Sequence, residues 1–142
     1  PAIIDGARKV HDFLTVGAAA PLQEAAIAGL DLPDSYYEEL TALYTRKRGL
    51  FLQGLREAGL AFTEPEGAYY VMVDISGFGA PNDTEFCEWL AREVGVAAVP
   101  GSSFFREPVH HLIRFHFAKQ ESTLREAIAR LSKLREKAAH RR

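Results

Sequence analysis

Arg114 is the residue in this sequence best suited to gripping a small anion. It lies in the run Leu112-Ile113-Arg114-Phe115-His116-Phe117-Ala118. Strand alternation there puts Ile113, Phe115 and Phe117 on one face, and Arg114 and His116 on the other. A guanidinium is always charged and offers a planar fork that meets a carboxylate with two parallel hydrogen bonds. A strand interior would hold that fork more rigidly than a loop. The same pattern also fits an ordinary salt-bridged arginine on a half-exposed sheet face, and periodicity alone does not choose between the two.

The other chemistry-bearing residues form no complete constellation. His110, His111 and His116 suggest metal ligation, but adjacent histidines point apart and no carboxylate or cysteine follows at ligand spacing, so no metal site is expected. His11-Asp12 reads as a polar pair on a helix face. Gly101-Ser102-Ser103 lacks the flanking glycine of a nucleophile elbow, and Gly77-Phe78-Gly79 lacks the third glycine of a dinucleotide fingerprint; both read as turns. Cys87 reads as a packed small residue. Tyr69 and Tyr70 are neighbours on a strand, so one of them faces the core and the other does not.

The elements that must position these groups follow from hydrophobic spacing. Residues 7–16 fit a helix carrying Val10, Phe13 and Leu14 on one face. Pro21 suits the first position of a second helix, which Gly29 and Asp31-Leu32-Pro33 stop. Ser35 and Glu38 have capping-box spacing, so a third helix starts near Asp34 and runs to a C-cap at Gly59, long enough to cross between two structural units. Leu60–Thr63 and Ala68–Asp74 flank the turn Glu64-Pro65-Glu66-Gly67 as a hairpin. Ser76 to Asn82 is a loop by composition. A helix from about Asp83 to Glu93 ends at Gly95, and a buried strand spans Val96–Val99. A last helix begins near Thr123, with capping-box spacing to Glu126, and continues through Leu134. Its basic end (Lys133, Arg135, Lys137, Arg141, Arg142) suits the helix dipole and reads as solvated. Three helices followed by β-β-α-β-β-α imply an α+β fold, a small sheet with helices packed on it.

Composition bounds the class. A chain of 142 residues, 47% hydrophobic and 25% charged, has the make-up of a soluble globular protein with a real core. A net charge of −2 gives no bulk attraction to nucleic acid or an anionic membrane. No apolar run approaches the roughly 18 residues of a spanning helix. The single cysteine excludes an internal disulfide and fits a reducing cytoplasm. The opening Pro1-Ala2-Ile3-Ile4-Asp5-Gly6 reads as the interior of a longer chain.

Several segments, in this order, resemble fold-type I aminotransferases of the class I and II group. They are His11-Asp12-Phe13-Leu14-Thr15-Val16 with Ala20-Pro21-Leu22-Gln23; Pro65-Glu66-Gly67-Ala68-Tyr69-Tyr70; Gly95 through Phe104; and Ile113 through Lys119, with Leu124-Arg125-Glu126-Ala127-Ile128-Ala129-Arg130-Leu131 behind them. The wording is most similar to the aspartate, kynurenine and methionine branch. The resemblance implies that residues 1–34 end a large cofactor-binding domain. Residues 35–142 would then supply the connecting helix and the small C-terminal domain.

It further implies that Arg114 binds the α-carboxylate of the substrate, that the Gly101 turn lies close to the pocket, and that Tyr69 or Tyr70 lines it, with Tyr70 the candidate. The family's cofactor is pyridoxal 5'-phosphate, and its Schiff-base lysine and cofactor-cradling residues would lie upstream. No catalytic or cofactor-binding residue is therefore expected within this chain. The implied activity is transfer of an amino group between an amino acid and a 2-oxo acid, by a homodimer that includes the remainder of the enzyme chain. The competing expectation is a non-catalytic α+β module for small-ligand binding or oligomerisation.

Overall fold

The computed structural model describes residues 2–14 and 17–140. Thr15 and Val16, expected at the end of the first helix, and Arg141 and Arg142, of the basic tail, lie outside the described residues. Backbone contacts divide the chain into Pro1–Glu39 and Leu40–Arg142.

In the first unit, α1 (Ala2–Leu14) begins five residues before the expected start. Ile3 and Ile4 extend its apolar stripe, and Asp5 in its first turn complements the helix dipole. α2 (Ala20–Leu30) carries Pro21 in its first turn as expected. Neither helix buries a residue, and Ile3, Phe13, Leu14 and Leu30 are all at least 79% exposed. The Tyr37 hydroxyl donates to the Gly29 carbonyl at 2.7 Å, tying the start of the next helix to the end of α2.

α3 (Asp34–Glu57) ends in a Schellman arrangement. Gly59 takes φ +70°, the Leu60 N–H donates to the Leu55 carbonyl and the Gly59 N–H to that of Arg56. β1 (Ala61–Phe62) and β2 (Tyr70–Asp74) form the expected hairpin, with Phe62 opposite Val73. β2 starts two residues later than alternation suggests because Ala68 adopts φ +56°, which breaks the extended run. The expected loop after β2 contains a 3₁₀ turn, Ser76–Phe78, started by the Ser76 N–H donating to Asp74 Oδ1.

α4 (Asp83–Trp89) starts where expected, capped by Asn82, whose side chain accepts from the Glu85 N–H. It continues as one π-helical turn, Leu90–Val94, closed by the Gly95 N–H bonding five residues back to the Leu90 carbonyl. Residues 96–98 follow that turn without pairing to the sheet, with Val96 in the core. β3 is therefore only Val99–Pro100, not Val96–Val99, and proline's missing N–H keeps it a short edge strand. A 3₁₀ turn, Gly101–Phe104, follows, and then β4 (Leu112–His116). The Phe117 N–H still donates to the Tyr69 carbonyl, so pairing runs slightly past the end of β4.

α5 (Glu121–Leu131) begins two residues before the expected Thr123 and has no side-chain cap. The Leu124 N–H reaches the Gln120 carbonyl, and Glu121 is held by Arg46 at 2.8 Å, which together add most of a turn. The expected single helix breaks at Ser132-Lys133, and α6 (Leu134–Ala139) follows. The break lets both Leu131 and Leu134 enter the core. Two residues of the basic end are not idle solvated charges: Arg135 donates to the Gly59 carbonyl at 2.5 Å and Lys137 to that of Glu93, while Arg130 just before them donates to that of Gly95 at 2.6 Å. Each satisfies a carbonyl at the end of another helix.

The sheet is antiparallel throughout, in the order β1-β2-β4-β3. One face carries Val71, Val73, Ile113 and Phe115, all buried with Phe117 against Phe51, Leu52 and Leu55 of α3, Phe86 of α4, Leu124 of α5 and Leu134 of α6. Gly54 permits the close approach of α3 to α5: a Cβ there would lie 2.5 Å from Ile128 Cγ1. The result is the expected α+β arrangement, helices on one face of a small sheet. The other face bears Tyr70, Met72, Arg114 and His116, all at least partly accessible.

Candidate functional site

Arg114 stands on that accessible face at the middle of β4. Its register partners are Met72 on β2 and Val99 on β3, so it is flanked by strands on both sides. Its guanidinium carbon lies 4.2 Å from the ring centroid of Tyr70 and 3.7 Å from that of Phe104. Tyr70 arrives from β2, diagonally across the ladder. Phe104 closes the 3₁₀ turn that begins at Gly101. Cation–π contacts of this kind contribute roughly 0.5–2 kcal/mol each.

These contacts engage the guanidinium through its carbon. Among the described residues, no carboxylate lies within ion-pair distance of Arg114 and no hydrogen bond from it is present. A half-buried guanidinium held by two rings, with its N–H fork uncommitted, can receive an external carboxylate. His116, two residues along the same face, is held below the ordinary histidine value, first by burial and then by the charges of Lys119 and Arg114. Its imidazole therefore favours the neutral form, and Arg114 carries the positive charge of this face.

The expectation that one of the two tyrosines faces the core does not hold: Tyr69 is exposed and Tyr70 half-buried, and neither joins the core. Tyr69 stacks on Tyr70 at 4.3 Å and Tyr44 lies 6.0 Å beyond. The Tyr69 phenol is raised above its ordinary value, first by its hydrogen-bonding interaction with Tyr70. A row of rings thus leads from Arg114 to a 510 Å³ cavity lined by Leu40, Tyr44, Arg48 and Tyr69.

Gly101 is buried at the start of the turn, and the reason for glycine there is steric. A Cβ would sit 2.4 Å from the Leu112 carbonyl oxygen, so only glycine lets the turn press against the start of β4. Gly101 therefore acts through its backbone, and the side chain reaching Arg114 is that of Phe104. Sequence reasoning passed over Phe104 because a phenylalanine after a glycine-serine turn carries no chemical signature of its own.

Asp83 was also passed over, as a mere helix-start residue. Its carboxylate is fully buried, with Oδ2 accepting from the Ser102 N–H at 2.7 Å and Oδ1 from the Thr84 N–H at 3.1 Å. Burial alone would raise its pKa; the hydrogen bonds from Ser102, His110 and the backbone outweigh that and lower it. The signal available in the sequence was Asn82-Asp83, two capping residues in a row where one suffices. Of the expected histidine loop pair, only His110 meets this group, with Nδ1 3.4 Å from Asp83 Oδ1.

Among the described residues, no three His, Cys, Asp or Glu side chains gather as metal ligands. No described helix is long and apolar enough to cross a membrane. Cys87 is buried, which pushes its thiol up to about 11.

The arrangement has close relatives. Methionine aminotransferase of Escherichia coli is 42% identical over 89% of this chain and 33% of its own length. Probable N-succinyldiaminopimelate aminotransferase DapC of Mycobacterium tuberculosis is 35% identical over 96% of this chain and 37% of its own. The solved N-succinyldiaminopimelate aminotransferase from Mycobacterium tuberculosis superposes with a TM-score of 0.76 at 37% identity, covering 94% of this chain and 35% of the other. That of YbdL from Escherichia coli, for which a methionine aminotransferase function is described, gives 0.74 at 41% identity over the same shares. The chain spans about a third of the length of these relatives. The family model for aminotransferase class I and II matches residues 1–131. With likeness in sequence, fold and extent agreeing, the chain belongs to the class I and II aminotransferases.

Proposed function

We propose that the intact protein moves an amino group from an amino acid to a 2-oxo acid, and that this chain supplies the arginine that binds the substrate's α-carboxylate, Arg114. The observation that carries the reading is the uncommitted guanidinium fork between Tyr70 and Phe104. The fork fixes a carboxylate in two dimensions, and the strands on either side resist its rotation. That restricts how the bond at the adjacent carbon is presented to the reacting group. The Tyr70 and Phe104 rings beside the guanidinium would lower the local polarity around the ion pair, which strengthens it.

Pyridoxal phosphate, when bound, would provide the electron sink for this chemistry. The residues described here do not fit that group by themselves. Lys47 lies over the Tyr44 ring, Lys119 lines a separate 330 Å³ groove with Thr123 and Arg130, and Lys137 is spent on the Glu93 carbonyl. None of them is stacked on or hydrogen-bonded to Arg114, Tyr70 or Phe104. The Schiff-base lysine and the phosphate cradle are accordingly assigned to segments outside this chain. Residues 1–34 would close the cofactor domain and residues 35–142 form the connecting helix and small domain, in a cytoplasmic homodimer. The apolar side chains that α1 and α2 leave exposed support a partner surface for that part.

The test is steady-state kinetics of the full-length protein carrying Arg114→Ala or Arg114→Lys. Two charge-assisted hydrogen bonds of about 1.5–3 kcal/mol each predict a loss in kcat/KM of two or more orders of magnitude for alanine. Lysine keeps the charge but not the fork and stays badly impaired. Near-normal kinetics for the lysine variant would remove the basis of the reading.

A further inference from the structure

We infer that Asp83 is a positioning residue for the carboxylate site: it clasps both ends of the segment 102–110 and so sets Phe104 against Arg114. The inference rests on the reading of Arg114 given above, and it concerns a residue that touches no reacting group.

The case starts from a buried charge in need of a reason. Asp83 is the sole charged side chain buried among the described residues. A buried carboxylate is costly unless both oxygens are hydrogen-bonded. Capping α4 does not require it, because Asn82 already accepts the Glu85 N–H. Its Oδ2 is instead committed to the Ser102 N–H, nineteen residues away, and Oδ1 faces both the Thr84 N–H and His110 Nδ1.

Ser102 and His110 bracket an excursion of the chain. Its neck is closed below them by Pro100 pairing with Ile113 and by Gly101 pressed on the Leu112 carbonyl. Above the neck, Phe104 and Phe105 are 45% and 41% exposed, and Arg106 is exposed. Phe104 meets Arg114 through its ring face, and its backbone is set by the turn from which it springs. The turn's second residue, Ser102, is the one whose N–H Asp83 holds. A carboxylate is needed because both oxygens accept from backbone N–H groups; an amide has one acceptor and would set N–H against N–H at the other.

The experiment uses the full-length protein with Asp83→Asn, Phe104→Ala and the double variant. The first readout is the rate of tryptic cleavage after Arg106, followed by mass spectrometry. The second is KM and kcat for the amino-acid substrate. Losing one of two charge-assisted hydrogen bonds should speed cleavage at Arg106 about tenfold with other cleavage sites unchanged. KM should rise about five- to tenfold with kcat within about threefold, and Asp83→Asn should add nothing to KM in the Phe104→Ala background.

Unchanged cleavage, or KM effects that multiply in the double variant, would overturn the inference. If Asp83→Asn does not fold, His110→Ala loosens only the exposed end of the clasp; about threefold faster cleavage supports it, and no change overturns it. Normal KM in Arg114→Lys would instead defeat the carboxylate reading and the kinetic half of this inference with it. Cleavage at Arg106 would then decide the clasp alone.

Discussion

Arg114 and Phe104 are ten residues apart in sequence, yet the guanidinium carbon of one lies 3.7 Å from the ring centroid of the other. The contact joins an inner strand to a 3₁₀ turn at the sheet edge, so the rigidity of the first is lent to the second. Replacing Phe104 by Ala in the full-length protein should raise KM about 2- to 30-fold, the range that a cation–π contact of 0.5–2 kcal/mol implies. Phe104→Tyr, which keeps the ring face, should stay within about twofold of the parent. Equal KM values for alanine and tyrosine would show the ring to be irrelevant.

Gly54 should tolerate no methyl group. A Cβ at this position meets three carbons of Ile128 at 2.5–2.6 Å, and a β-branched side chain in a helix has little freedom to turn away. Gly54→Ala removes backbone entropy from the unfolded chain, which favours folding by up to about 1 kcal/mol. Overpacking opposes that with about 1–3 kcal/mol and decides the sign. Denaturant titration should find the variant less stable, and adding Ile128→Ala should recover part of the loss.

Cys87 should be silent toward Ellman's reagent in the folded protein and react promptly once unfolded. Burial, with the nearby Asp83 charge second, pushes its thiol up to about 11. The folded state thus keeps a proton that the unfolded state releases from about pH 9. Stability from this group is complete below that pH and is lost as pH rises toward 11. Cys87→Ala should flatten the alkaline arm of a stability–pH profile; an unaltered arm would mean that other groups govern it.

Arg135→Ala should uncap the carbonyl of Gly59 and cost about 1 kcal/mol in equilibrium unfolding, because the bond is charge-assisted but exposed. Arg130→Gln should give a comparable loss at Gly95. Arg125 makes a useful control, since among the described residues no carbonyl contact ties it to another helix, and its alanine variant should change little.

Much of this fold was legible because hydrophobic spacing is a direct record of burial. Ile113, Phe115 and Phe117 alternate, and all three are buried. Gly59 and Gly95 punctuate helices, and both take positive φ. What escaped was set by tertiary partners. The π turn at Leu90–Val94 has no sequence signature, and β3 after it spans only Val99–Pro100, ending on a proline that cannot extend the ladder. Thr123 offered a sound cap that the helix did not use, because Glu121 had a partner in Arg46. Arg135 and Lys137 looked like solvated charge since their carbonyl acceptors lie 76 and 44 residues away. Within the site, Arg114 and Tyr70 were named from residue type and resemblance. Phe104 and Asp83 were not, because their importance is a matter of neighbours.

The strand order has one further consequence. A single row of register partners, Phe62, Val73, Ile113 and Pro100, crosses all four strands, and Arg114 follows Ile113 directly. Peeling away either margin of the sheet leaves that position still tied on its opposite side. Amide protons at Ile113 and Phe115 should accordingly rank among the slowest to exchange with deuterium, long after the hairpin tip and the 105–109 stretch have become labelled. The anion-gripping group is mounted on the part of this domain that opens last.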